Sequence, residues 1–138
     1  MEETKISERA VLAKTFFNNG YNCSQSVAMA FSDIIKMEEE DILRAMSGFG
    51  FGMGGERTVC GAITGGAFVI SSLTEDPEYR DDTYTKVKQL IDEFKTQNGG
   101  TIDCMDLIGE DPGPREFHDT CPMIIERVIR IVEKINND

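Results

Sequence analysis

Residues 58 to 73 read Thr58-Val59-Cys60-Gly61-Ala62-Ile63-Thr64-Gly65-Gly66-Ala67-Phe68-Val69-Ile70-Ser71-Ser72-Leu73. From Cys60 the apolar positions recur at Ile63, Ala67 and Ile70, the spacing of one helix face. Glycine inside a helix is less favourable than alanine by roughly 1 kcal/mol, so Gly61, Gly65 and Gly66 weaken this helix locally. A helix keeps such residues where neighbours must come close to its backbone. The segment is therefore expected as a central helix, buried by the others.

Outward from it, the same three-and-four spacing holds along the chain, and no strict alternation is long enough to argue for a sheet. A first helix is expected over Ser7 to Asn18, with Ile6, Ala10, Ala13 and Phe17 on one face and Asn19-Gly20 as its stop signal. A second starts at Cys23, where Asn22 and Gln25 resemble a capping box, and runs to about Ile35. Glu38 to Met46 forms a short third helix. Pro77 opens a long polar helix to about Gln97, with Tyr84, Val87, Leu90, Ile91 and Phe94 as its apolar face and Asn98-Gly99-Gly100 as its end. A short helix at Cys104, a loop over Glu110 to Pro114 and a final helix from Thr120 to about Ile135 complete the chain. The expected fold class is all-α: one single-domain helical bundle of about five to seven helices over residues 1–138.

The 138 residues and 15.4 kDa suit one domain with a core of useful size. A formal net charge of -11 repels phosphate backbones, and no lysine or arginine cluster offsets it, so nucleic acid is excluded as a partner. Acidic residues over Glu38 to Asp41, Glu75 to Asp82 and Glu110 to Asp119 read as solvated surface. No apolar run approaches the roughly 20 residues needed to span a bilayer, so no membrane partner is expected. Met1-Glu2-Glu3-Thr4-Lys5 lacks the features of a signal peptide, and a cytoplasmic location with reduced thiols is the expectation.

The four cysteines, Cys23, Cys60, Cys104 and Cys121, carry the functional signal. Asn22, Asp103 and Thr120 are good N-cap residues directly before three of them, and Thr58 lies two residues before Cys60. That pattern places each sulfur in a first helical turn, where free N–H groups and the helix dipole favour the thiolate. Apolar stripes follow: Val27, Ala30 and Ile34 behind Cys23, and Ile125, Val128, Val132 and Ile135 behind Cys121. The sulfurs are thus expected to point inward and several to meet. A single buried cysteine is ordinary core filler, but four at capped helix starts are not well explained that way.

Gly48-Phe49-Gly50-Phe51-Gly52-Met53-Gly54-Gly55 precedes the central helix. It lacks the Gly-Lys-Ser/Thr ending of a P-loop, and no strand leads into it, so a nucleotide site is disfavoured. Its glycines, Gly52, Gly54 and Gly55 among them, allow a backbone nest for an anionic sulfur cofactor beside Cys60, or simply a tight connector.

Taken together, Gly20-Tyr21-Asn22-Cys23-Ser24-Gln25-Ser26-Val27, the glycine loop leading into Cys60-Gly61-Ala62-Ile63-Thr64-Gly65, Cys104-Met105-Asp106-Leu107-Ile108-Gly109 and Cys121-Pro122 resemble the C-GCAxxG-C-C family of redox-active proteins. The family name writes Gly-Cys-Ala where this chain has Cys60-Gly61-Ala62. The family is also similar to a domain of split-Soret cytochromes c, in which an iron–sulfur cluster accompanies haem. This chain has no Cys-x-x-Cys-His motif, so the resemblance implies only the cluster site, at Cys23, Cys60, Cys104 and Cys121.

Three functions compete on this reading. In thiol–disulfide chemistry one cysteine attacks and another resolves, with Cys60 the candidate nucleophile and a redox partner protein or a small thiol or disulfide as substrate. In a metal or iron–sulfur site the four cysteines supply the ligand count, although intervals of 37, 44 and 17 residues give no local chelate. His118 is a further ligand candidate that also reads as a surface residue. In an interaction module the Gly61/Gly65 surface and Phe49, Phe51 and Met53 serve self-association into a homo-oligomer or a partner contact. A general acid–base enzyme lacks any recognisable carboxylate pair.

Overall fold

The structure is a computed structural model that describes residues 7–74, 78, 80–110 and 112–137. Among the described residues it holds seven helices and no strand: α1 (Glu8–Asn18), α2 (Cys23–Met29), α3 (Glu39–Met46), α4 (Gly61–Leu73), α5 (Arg80–Gln97), α6 (Cys104–Ile108) and α7 (Pro114–Asn137). The all-α bundle expected from the spacing is what the chain forms.

Local chemistry sets most of the boundaries. Ser7 caps α1, its Oγ accepting from the Ala10 N–H at 3.0 Å. Asn22 and Gln25 close a complete capping box at α2. Past α5, Gly99 and Gly100 adopt φ of 73° and 85°, and the Gly100 N–H returns to the Lys95 carbonyl at 2.8 Å.

The central helix is α4. A Cβ added at Gly65 would lie 2.8 Å from the Ser24 carbonyl and 3.1 Å from Val27 Cβ, so α2 packs almost backbone to backbone against it. On its other side, a Cβ at Gly66 would meet Leu90, Val128 and Val132. The glycines thus exchange helix propensity for close packing against α2, α5 and α7. α7 buries Ile124, Ile125, Val128, Ile129, Ile131, Val132 and Ile135 and packs against α1, α4 and α5. Phe31, Ile42, Leu90 and Phe94 complete the fully buried centre.

The observed elements depart from the sequence expectation in several places. α2 stops at Met29 rather than Ile35, and Ile34 is exposed. The Ala30 carbonyl is taken by Arg9 Nη1 at 2.7 Å, Arg9 pairs with Asp33, and the chain continues in tighter turns such as Phe31 N–H to Ala28 O. α7 begins at Pro114, not Thr120, because proline is well suited to a first helical position, where its missing N–H is not needed. Tyr84, expected on the apolar face of α5, is exposed, while Leu90 and Phe94 are buried. The expected start at Pro77 and the face residue Ile6 lie outside the described residues. Within the glycine-rich stretch, Ser47–Phe49 is a 3-10 turn and Gly50–Met53 one irregular helical turn, with Phe51 and Gly52 in left-handed conformations.

Candidate functional site

All four cysteines line one cavity of about 530 Å³. Two of them begin helices as expected: Cys23 is the first residue of α2 and Cys104 the first of α6. Cys60 stands one step outside, at the N-cap position of α4. Cys121 departs furthest, since α7 is already about two turns long when it reaches that residue. Its sulfur comes to the cavity from the side of a helix, not from an end.

The chain brings Cys60 and Cys104 together through backbone bonds. The Cys60 N–H donates to the Ile102 carbonyl at 2.8 Å, and the Cys104 N–H to the Thr58 carbonyl at 2.6 Å, around an isolated antiparallel bridge of Val59 with Asp103. Cys23 approaches from α2. A Cβ on Gly61 would fall 2.3 Å from Cys23 Sγ, so the missing side chain at Gly61 makes the space that the sulfur fills. The remaining walls include Phe17, Tyr21, Phe51, Ile108, Phe117 and Ile124. His118 also faces the cavity.

The four thiols are free. Among the described residues, no three or more His, Cys, Asp or Glu side chains converge as they would on a single metal ion. The four cysteines share the wall of one cavity.

Electrostatics within this space overturn the expectation of activated thiols. Burial pushes the Cys23 thiol up; N–H groups of Phe51 and Ser24 oppose that, while negative charge on Cys104 adds to it. Burial likewise raises Cys60, followed by the charge of Cys23, with the Ala62 and Ile63 N–H groups pulling the other way. Cys121 is pushed up to about 12, first by burial and then by Cys23 and Cys104, against the opposing pull of Arg57. The N–H groups at the helix starts act in the direction the sequence suggests, but desolvation outweighs them. As a free thiol, Cys60 is buried and not activated for attack.

Arg57, which sequence reasoning did not single out, contacts one of the four sulfurs. Its Nε donates to Cys104 Sγ at 3.0 Å, and its Nη2 donates to the carbonyls of Cys104 at 3.1 Å and Gly109 at 2.6 Å. The guanidinium carbon sits 5.3 Å from the centre of the Phe117 ring, which meets Phe51 edge-on at 4.7 Å. The one available signal was an arginine two residues after a glycine-rich loop and three residues before a cysteine.

The loop glycines have a different place. Gly52 has φ of 66°, and a Cβ there would lie 2.6 Å from the Thr58 N, so glycine lets the loop fold back until Thr58 bonds the Gly52 carbonyl from both its N–H and its Oγ1. Gly54 and Gly55 are exposed with positive φ. None of the three is among the cavity walls.

A family model described as "Putative redox-active protein (C_GCAxxG_C_C)" matches residues 21–135. The match contains all four cysteines, the glycine loop and Arg57. Neither the curated proteins nor the solved structures contain a match to the chain.

Proposed function

Because the chain belongs to the C_GCAxxG_C_C family of redox-active proteins, we propose that Cys23, Cys60, Cys104 and Cys121 form one redox centre, holding an iron–sulfur cluster that exchanges electrons with a partner protein. The observation that carries this reading is the shared cavity: four sulfurs from four helices and connectors surround one buried space. The donor set fits the group in kind, since four cysteines are the usual ligands of such a cluster and all four line the same cavity. Gly61 supports the fit by giving Cys23 Sγ its place, and Arg57 by donating an N–H to Cys104 Sγ.

A bound cluster would supply one-electron transfer. The protein's own residues position the sulfurs through the Cys60–Ile102 and Cys104–Thr58 backbone bonds and line the space with the apolar side chains of Phe17, Phe51, Phe117 and Ile124. Raised thiol pKa values also favour this reading over exchange by free thiols, because a metal supplies the positive charge that buried thiolates lack.

One observation supports a second reading, in which Cys23 and Cys121 form a reversible disulfide. Both are partly accessible, and each responds to the other's charge or to that of Cys104. Anaerobic purification and reconstitution with iron and sulfide separate the two. Visible absorbance with stoichiometric iron and sulfide, lost in each Cys→Ser variant, is the expected result. A colourless, iron-free protein after reconstitution, whose thiol count falls reversibly by two on oxidation, would overturn the cluster in favour of the disulfide.

A further inference from the structure

Arg57 is held far more firmly than a surface arginine needs to be. Its three N–H bonds end on Cys104 Sγ, the Cys104 carbonyl and the Gly109 carbonyl, and its flat face lies over Phe117. Its backbone has φ of 65°, a conformation that few non-glycine residues adopt. The loop keeps that conformation with the Arg57 N–H donating to the Phe51 carbonyl at 3.1 Å, while the Arg57 carbonyl accepts from the Met105 N–H at 3.1 Å. Both the backbone and the side chain of Arg57 are therefore tied to the segment that carries Cys104. A fixed cation is in direct contact with one sulfur of the site and does not form part of the cavity wall.

We propose that Arg57 sets the reduction potential of the four-cysteine centre through its charged hydrogen bond to Cys104 Sγ. The proposal rests on the redox reading above and names the residue that regulates that site. When the centre accepts one electron from an external reductant it gains one negative charge, and no bond need form or break. A cation hydrogen-bonded to a sulfur stabilises the more electron-rich form of the centre, so it raises the potential. Lysine cannot reproduce the arrangement, because only the planar guanidinium reaches a sulfur and two carbonyls with one rigid fork.

The test compares wild type, Arg57→Gln and Arg57→Lys in the full chain, reconstituted with iron and sulfide and titrated anaerobically with dithionite. Arg57→Gln is expected to move the midpoint to a more negative value, with the reduced-to-oxidised ratio at the wild-type midpoint falling roughly tenfold, the usual scale for losing a charged hydrogen bond. Arg57→Lys is expected to fall between the two. If Arg57→Gln does not fold, the Lys variant carries the test on its own by a shift in the same direction. Iron content and urea midpoints are recorded alongside. A purely structural role would lower these while the centres that remain kept the wild-type potential, and that result overturns the proposal. If wild type takes up no iron but shows a dithiol couple in glutathione buffers, the cluster reading fails and the role assigned to Arg57 is overturned with it. An unchanged potential in iron-loaded Arg57→Gln, or the absence of any redox couple in wild type, overturns the role assigned to Arg57.

Discussion

Replacing Gly61 by alanine tests the packing and the site in one step. The new Cβ would lie 2.3 Å from Cys23 Sγ and 2.9 Å from the Phe49 carbonyl oxygen, both well inside van der Waals contact. The first clash can be relieved, because a cysteine can rotate about χ1 and swing its sulfur away. The second involves backbone, and relief requires α4 and the Phe49 turn to separate. Overpacking of this kind costs about 1–3 kcal/mol. With a urea m-value near 2 kcal/mol/M, the midpoint should drop by about 0.5–1.5 M. Gly48 provides the control: nothing lies within 4 Å of a Cβ placed there, so Gly48→Ala should leave the midpoint nearly unchanged. Urea melts followed by far-ultraviolet circular dichroism give the stability, and iron content after reconstitution gives the site. Gly61→Ala should still fold, yet load far less iron than Gly48→Ala, because Cys23 Sγ has left its position. Equal urea midpoints and equal loading in the two variants would refute the claim that the bare backbone at Gly61 makes the place for that sulfur.

Gly65→Leu should be destabilised by at least the same roughly 1–3 kcal/mol, since its branch would enter the space held by Ser24 and Val27; a wild-type urea midpoint would show that α2 and α4 are not in close contact. Ser7→Ala removes both the α1 cap and the Oγ–Glu133 bond at 3.0 Å, and should cost about 1 kcal/mol in the same melts. The metal-free protein should lose stability under alkaline conditions. Cys23, Cys60 and Cys121 are raised in the folded state, so their contribution is complete below the unfolded thiol value near 8.5 and declines as pH rises toward the folded value, about 12 for Cys121. Urea midpoints between pH 7 and 11 read this directly, and a flat profile would contradict it. Because buried thiols must lose protons to ligate, iron loading in weakly buffered solution at pH 8 should release protons; uptake of iron without acidification would assign the ligands to other residues.

The fold was legible wherever a local rule decided it. The spacing from Cys60 to Ile70 identified the central helix, and the small residues there predicted close neighbours, which Gly61, Gly65 and Gly66 have. Asn22 with Gln25 and Asn98-Gly99-Gly100 marked true boundaries. The end of α2 was not legible, because it depends on Arg9 reaching across from α1 to take the Ala30 carbonyl. The start of α7 was misread because the segment from Glu110 to Pro114 looked like a loop, while Thr120 before Cys121 looked like a cap. Pro114 in fact begins the helix, and Thr120 lies within it.

For the site, four cysteine positions were enough to predict convergence, but not the conditions at the point where they meet. A helix start favours a thiolate by at most about 2 kcal/mol, and only in the first turn. Removing a charge from water costs more, and how much water is removed depends on which side chains close the cavity. Phe17, Phe51 and the α7 residues Phe117 and Ile124 come from three separate parts of the chain, so no single local pattern contains that information. The same holds for Arg57, whose bond to Cys104 spans 47 residues. Burial therefore favours the protonated form of Cys23, Cys60 and Cys121, and a single arginine is in contact with Cys104. A site with these two properties is poorly suited to nucleophilic attack by a free cysteine. It suits a centre in which the sulfurs share their charge with bound metal and one fixed cation adjusts the energy of the added electron.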